Sequence, residues 1–537
     1  MKKKKILIVI LTTLFLINIF SVVGSKDLTK SWKEVQKIKP HDGQADSLFG
    51  AGVYVNENRA IIGAYADDEM GNEAGAAYIY KRDGNTWIEE AKLTAFDANY
   101  DDMFGISTCI EGNYAIVGSI ADDDKGYDSG SVYIFKYDGD EWCFETKLTA
   151  SDGSANDWFG GSVAFYGEYL IIGADGDNNQ KGSAYIFKRT DSTWMQEAKI
   201  SPSNLDDFDH FGYKVDISYD YAIISAIGDD DKTYDCGAAY VFKKAGSSWI
   251  KEAKLIASDG GYRDVFGMDI ALYGDYAIIG AEYDDTSNGV DSGSAYIFKR
   301  TDSTWIEEAK IIPSNGVKND LFGGSVSIYE NYAVIGSGWD DTENGENSGS
   351  AYIYKRTDST WSLEKNILAS DGEENDHFGS VWINGNYIFI GAAGDEDNGE
   401  FSGSVYIFTN EEDNFAPNVP KINGPTKLKI NQEGSYKVKS TDPEEDQVYY
   451  YIDWGDGNKV EWDGPYDSGL EVIFTHSWEE KGSYQLKVKA KDINGQESDW
   501  GYKSLTIPKN RFFTNYLIKF LENHPFIYRL IATIFGP

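Results

Sequence analysis

The chain has 537 residues, and its 88 Asp and Glu outweigh 49 Lys and Arg, giving a formal net charge of −39. Such a surface repels nucleic acid and favours cations or basic partners. Three cysteines in a chain this long exclude a disulfide scaffold.

The amino terminus opens with Lys2 to Lys5, an apolar run from Ile6 to Phe20, then Val22-Val23-Gly24-Ser25. This pattern predicts a signal peptide over 1–24, and hence a secreted or cell-surface protein. The alternative is an uncleaved membrane anchor, since the apolar run approaches spanning length.

Seven Phe-Gly pairs follow, at Phe49, Phe104, Phe159, Phe211, Phe266, Phe322 and Phe378, spaced by 52 to 56 residues. A period of this size signals a repeat architecture. One unit reads Val163-Ala164-Phe165, Tyr169-Leu170-Ile171-Ile172-Gly173-Ala174, Ser183-Ala184-Tyr185-Ile186-Phe187-Lys188 and Trp194 to Ile200. Gly, Asn, Asp and Ser separate these β-branched and aromatic runs, so each unit predicts four short strands. The fold expectation is all-β, a seven-bladed β-propeller over 28–410 followed by an Ig-like β-sandwich. A Trp-led strand, Trp32 to Ile38, precedes the first Phe-Gly, while the last unit has only three strands. The first strand is therefore expected to complete the last blade and close the ring.

Phe-Gly-x-Ser-Val, Tyr-Ala-Ile-Ile-Gly-Ala, Asp-Asp and Ser-Gly-Ser-Ala-Tyr-Ile-Phe resemble the FG-GAP repeat of integrin-α-type propellers, in its prokaryotic variant. The resemblance implies a binding or adhesion platform. It departs from the integrin pattern in one respect. The connection between strands 1 and 2 is a tight hairpin, as at Glu111-Gly112-Asn113, with too few oxygens for calcium. No calcium residues are carried over.

Up-and-down topology puts the loops between strands 2 and 3 on one face, together with the connections from strand 4 to the next strand 1. Carboxylates at alternate positions make Asp122, Asp124 and Asp128, and Asp229, Asp231 and Asp235, candidate calcium ligands. The alternative is a solvated turn, where Asp is favoured anyway. Asp284, Asp285, Asp340 and Asp341 are the expected exposed binding residues of that face, with Lys299, Arg300, Lys355 and Arg356 on the opposite one. An Asp two residues before six of the seven Phe residues, as at Asp102 and Asp157, is expected to cap the turn into strand 1.

Residues 409–420 read as a linker. A PKD-like sandwich is expected over 417–507, from Trp454-Gly455-Asp456-Gly457, His476-Ser477-Trp478 and Gly482-Ser483-Tyr484. Asp453, Asp456 and His476 are read as turn chemistry and core packing rather than a metal or catalytic cluster. The tail, 508–537, is apolar but broken at Pro525, and neither half is long enough to span a bilayer. It reads as a sorting or attachment signal, or as a short helix packed on the sandwich or a disordered end.

Five histidines and no Ser/His/Asp set, Cys/His spacing or phosphate loop leave no catalytic candidate. The expectation is a monomeric, non-enzymatic protein binding an extracellular protein or glycan through its acidic face, with calcium the one cofactor in view. It contacts membrane only through its signal segment or tail. The competing expectation is a polysaccharide-active enzyme with the PKD-like module as spacer. Near-uniform blades favour the first.

Overall fold

Each repeat unit folds as its turn residues direct. In the third, Val163–Tyr166 and Tyr169–Ala174 form a hairpin around Gly167-Glu168. Ser183–Thr190 and Thr193–Ile200 then extend the antiparallel sheet outward in chain order. The computed structural model describes residues 32–84, 86–190, 193–410, 416–508 and 519–535. The segment read as a signal peptide, 1–24, lies outside the described residues. The chain divides into two compact units, Met1–Glu411 and Glu412–Pro537.

The first unit contains seven four-stranded antiparallel sheets. They are blades 1 to 7, beginning after Phe49, Phe104, Phe159, Phe211, Phe266, Phe322 and Phe378. Blade 7 takes its outer strand from the start of the chain: Lys33–Ile38 pairs antiparallel with Ser404–Thr409. Ring closure is thus as the orphan strand predicts, and no inner sheet edge is left open at the seam.

The Phe-Gly pair acts between blades. Phe104 is fully buried and meets Tyr133 of its own blade edge-on, ring centroids 5.3 Å apart. Gly105 has φ +100, and a Cβ built on Gly63 of blade 1 would lie 2.0 Å from its carbonyl oxygen. Glycine is needed on both sides because two backbones touch there. The strand-4 Trp also spans blades: Trp194 packs on Tyr114 of blade 2 at 5.9 Å, and Trp32 on Tyr332 of blade 6 at 5.6 Å. Truncating one such buried Trp to Ala costs about 3–5 kcal/mol.

The second unit has a three-stranded sheet and a four-stranded sheet that share one apolar core. Trp454, Trp478 and Tyr450 lie in that core. Asp456 accepts a hydrogen bond from Asn458 N and pairs with His476 Nε2 at 2.7 Å, while His476 stacks on Trp454. Asp453 accepts from Gly455 N. These contacts are turn and packing roles, in line with the reading from the sequence. All three cysteines are free thiols.

Candidate binding face and central channel

The loops of one propeller face interlock from blade to blade. The 2–3 loop of blade 2 accepts Asn156 N at Tyr127 O, 2.7 Å, from the connection into blade 3. Arg263 N reaches Tyr234 O in the same way, at 2.9 Å.

Beneath this surface each blade carries a buried polar knot. In blade 2 the Tyr133 hydroxyl donates to Asp97 at 2.7 Å and to Asp122 at 2.9 Å. Lys147, on strand 4, reaches Asp97, Asp122 and Asp124 at 2.9, 2.7 and 2.8 Å. Burial opposes ionisation of Asp97, yet bonds from Tyr133 and Lys147 hold its carboxyl below the usual range. Burial likewise opposes the Lys147 charge, and its carboxylate partners outweigh it and raise its pKa. Lys92, Lys199, Lys254 and Lys310 play the same part in blades 1, 3, 4 and 5. Lys37, from the first strand, does so in blade 7.

This geometry shows where the acidic-loop candidates lie. Asp122 and Asp124 do converge, but around the Lys147 ammonium, which takes the place an ion would need. Asp128 is not in that group; burial first, then Asp123 and Asp101, raise its carboxyl. Asp229 and Asp231 both pair with Lys254, while Asp235 faces Arg263 at 3.5 Å. In each loop the first two candidates share a lysine, and the third, Asp128 or Asp235, lies apart from them.

One correction concerns exposure. Asp284 and Asp340 are only 4% and 5% exposed, because they are the knot residues of blades 5 and 6. Asp285 and Asp341 are exposed. Blade 6 alone lacks the lysine: Asn366 stands opposite Tyr352, and Asn315 replaces the loop Asp and donates to the Tyr352 hydroxyl. Asp340 is held by Ser350 and Tyr352 without a cation, and burial, with Asp341 adding, raises its carboxyl above 3.8. Blade 4 also has Asn at that loop position, Asn204, which donates to the Tyr240 hydroxyl, yet it keeps Lys254.

The capping role of the recurrent Asp holds. Asp102 accepts Asn99 N and Asp157 accepts Ser154 N, each at 2.7 Å. Burial pushes the Asp102 carboxyl up to about 6.

What the face does expose is aromatic. Tyr100, Tyr127, Tyr234, Tyr262, Tyr283 and Trp339 are 39% to 68% exposed. Tyr234 and Tyr262 stack, centroids 5.6 Å apart. Sequence reasoning passed over these side chains among the carboxylates, although Lys125-Gly126-Tyr127 and Lys232-Thr233-Tyr234 mark equivalent loop positions.

The inner strands break the repeat where the sequence reading saw uniformity. A cavity of about 140 Å³ is lined by Lys214, Asp216 and Asp269 on blades 4 and 5 and by Tyr54 and Trp382 on blades 1 and 7. Asp216 accepts Leu272 N at 2.6 Å and Asp269 accepts Val326 N at 2.8 Å, so each ties its blade to the inner edge of the next. Ser162 and Ser325 do the same for Val215 N and Val381 N. Burial pushes Asp216 up to about 7, against the pull of its backbone donors. Glu282, in the 2–3 loop of blade 5, is also raised by burial to about 7. Nearby His210 meets Asp175 at 3.1 Å.

The FG-GAP repeat model matches residues 32–80, 87–135, 142–187, 194–242, 249–298, 305–354 and 361–408. The chain belongs to the FG-GAP repeat family. Every FG-GAP match opens on the strand-4 Trp and ends in strand 3, so the sequence repeat straddles two blades. FG-GAP propellers often serve binding or adhesion and are generally non-enzymatic. Among solved structures, the chain is similar to the PKD domain of an M14-like peptidase from Thermoplasmatales archaeon SCGC AB-540-F20. That likeness is 49% identical over 18% of this chain and all of that domain, TM-score 0.18. A chain from a cryo-EM structure of RAG in complex with one melted and one unmelted RSS is 8% identical. It covers 57% of this chain and 95% of its own, TM-score 0.31. No curated protein matches the chain.

Proposed function

We propose that this FG-GAP propeller is a secreted or cell-surface, non-enzymatic binding protein. It captures an extracellular protein or glycan on the face formed by its 2–3 and 4–1 loops. The observation that carries this reading is the company of exposed rings and exposed carboxylates in each loop there: Tyr283 near Asp285, Trp339 near Asp341, and Tyr127 near Asp123. Exposed aromatic side chains supply large contact area at low entropic cost, and carboxylates add charge selectivity. The knot carboxylates are already paired with lysine, so the rings and the exposed carboxylates outside the knots are what a partner meets.

The test is a screen of immobilised glycans and surface proteins, followed by two variant sets. Replacing Tyr283 and Trp339 by Ser, with Asp285→Asn and Asp341→Asn, is expected to abolish capture. Replacing Lys299 and Lys355 by Gln on the opposite hairpins is expected to leave it unchanged. Loss only from the lysine set would put the site on the other face.

A second reading, polysaccharide hydrolysis, draws on two carboxyls raised by burial to about 7, Asp216 in the cavity lining and Glu282 in the blade 5 loop. Asp216 also has a structural duty in bonding Leu272 N, which weakens that reading. Release of reducing ends by the parent but not by Glu282→Gln would favour it.

A further inference from the structure

The tail carries a chemistry foreign to the rest of the chain. Residues 508–537 hold Lys509, Arg511, Lys519 and Arg529 against Glu522, a net charge of +3 in a chain of −39. The described part is helical over 519–523, is interrupted at His524, and resumes as the helix Pro525–Phe535. Pro525 is tolerated because it is the first helical residue, where its missing N–H costs nothing. His524 Nδ1 lies 2.9 Å from Phe520 O, and its ring stacks on Phe520 at 4.4 Å.

The helix reads Pro-Phe-Ile-Tyr-Arg-Leu-Ile-Ala-Thr-Ile-Phe, with Arg529 its single charge. A helix this apolar belongs in a protein core or in lipid. Among its described side chains the large apolar ones are not in a core: Phe526 is 82% exposed and Leu530 54% exposed. Eleven residues rise about 16 Å, roughly half of the hydrocarbon thickness of a bilayer. No described helix is long and apolar enough to cross a membrane.

We propose that the carboxy-terminal helix docks in the plane of an anionic lipid surface, with Phe526 and Leu530 immersed and Lys519 and Arg529 at the headgroups. Charge complementarity selects this occupant. The acidic bulk of the protein is repelled by anionic headgroups, so attachment falls to the net-basic apolar segment. The proposal is independent of what the propeller face binds.

Flotation with vesicles of phosphatidylcholine, with and without phosphatidylglycerol, tests it on the full chain. Expected is flotation with phosphatidylglycerol, reduced at least about tenfold by Phe526→Asp with Leu530→Asp. Lys519→Gln with Arg529→Gln should remove the preference for phosphatidylglycerol and the salt sensitivity. Equal flotation of a chain truncated after residue 518 would overturn the proposal, as would failure of the parent to float. Lipid-free self-association abolished by the Phe526 and Leu530 changes would instead assign the helix to a second copy.

Discussion

Gln36 clasps the Trp87 backbone where the chain start closes the propeller, while Val35 packs on the same apolar cluster and the Trp87 indole nitrogen is buried without a hydrogen-bond partner. At most other blade junctions the strand-4 Trp donates to a Glu on the neighbouring outer strand, as Trp142 does to Glu90 at 3.0 Å and Trp361 to Glu308 at 3.1 Å. Val35 stands at the bulge position that Glu90 and Glu308 occupy. The seam is held by Gln36 instead, which exchanges two hydrogen bonds with the Trp87 backbone, at 2.9 and 2.7 Å.

Val35→Glu is therefore expected to raise Tm by satisfying the buried indole, and Gln36→Ala to lower stability by about 1–3 kcal/mol. Differential scanning calorimetry of both variants checks this. A Tm drop for Val35→Glu would mean that burying the carboxylate costs more than the new bond returns.

Deleting residues 26–40 removes the outer strand of blade 7 and its Lys37 knot. The edge of Ser404–Thr409 is then unpaired, and Trp32 leaves its contact with Tyr332. A sharp loss of thermal stability, with aggregation through the open edge, is expected. A truncated chain that melts like the parent would refute closure.

Lysine occupies the place of a cation in the knots, so removing it should create a metal site. Lys147→Met leaves Asp97, Asp122 and Asp124 facing one another. That variant is expected to be destabilised in chelator and to recover most of its Tm in millimolar calcium, while the parent shows no calcium shift. Thermal scans of both proteins with and without calcium decide it.

Blade 6 gives a pH prediction with a definite sign. The folded Asp340 carboxyl is raised above 3.8. The fold thus prefers its protonated form, and parent stability falls as pH rises through that raised value. Asn366→Lys supplies the ammonium found in the other knots. It should raise Tm by about 2 °C at pH 7 and give no gain at a pH low enough to protonate Asp340. A gain independent of pH would show that the lysine acts through packing instead.

Much of the fold was legible because local pattern and global period agree. The Phe-Gly spacing set the number of blades, the hairpins around residues such as Gly167-Glu168 set strand order, and the orphan strand led by Trp32 announced its own closure. The Asp before the Phe was readable as a cap because its partner, Asn99 N for Asp102, lies three residues away.

The lysine pairing beneath the acidic loops was not legible because its contacts are distant in the chain. Asp122 and Lys147 are separated by 25 residues, with the strand Ser131–Tyr137 and one hairpin between them. A loop of adjacent carboxylates looks solvated or metal-binding until the sheet brings a strand-4 lysine up beneath it. The same holds for Asp284, which reads as loop surface and is buried beside Lys310. The exposed rings and the channel carboxylates depend on the same step, since only ring closure defines an inside and an outside.

What the sequence by itself determined is the repeat, the blade, the ring and the separate PKD-like domain, because strand and turn formation are set by residues within a few positions of one another. Tertiary structure alone decided which carboxylates are spent on lysine and which stay exposed. Burial and charge pairing are properties of side chains that meet only after seven sheets have closed on themselves.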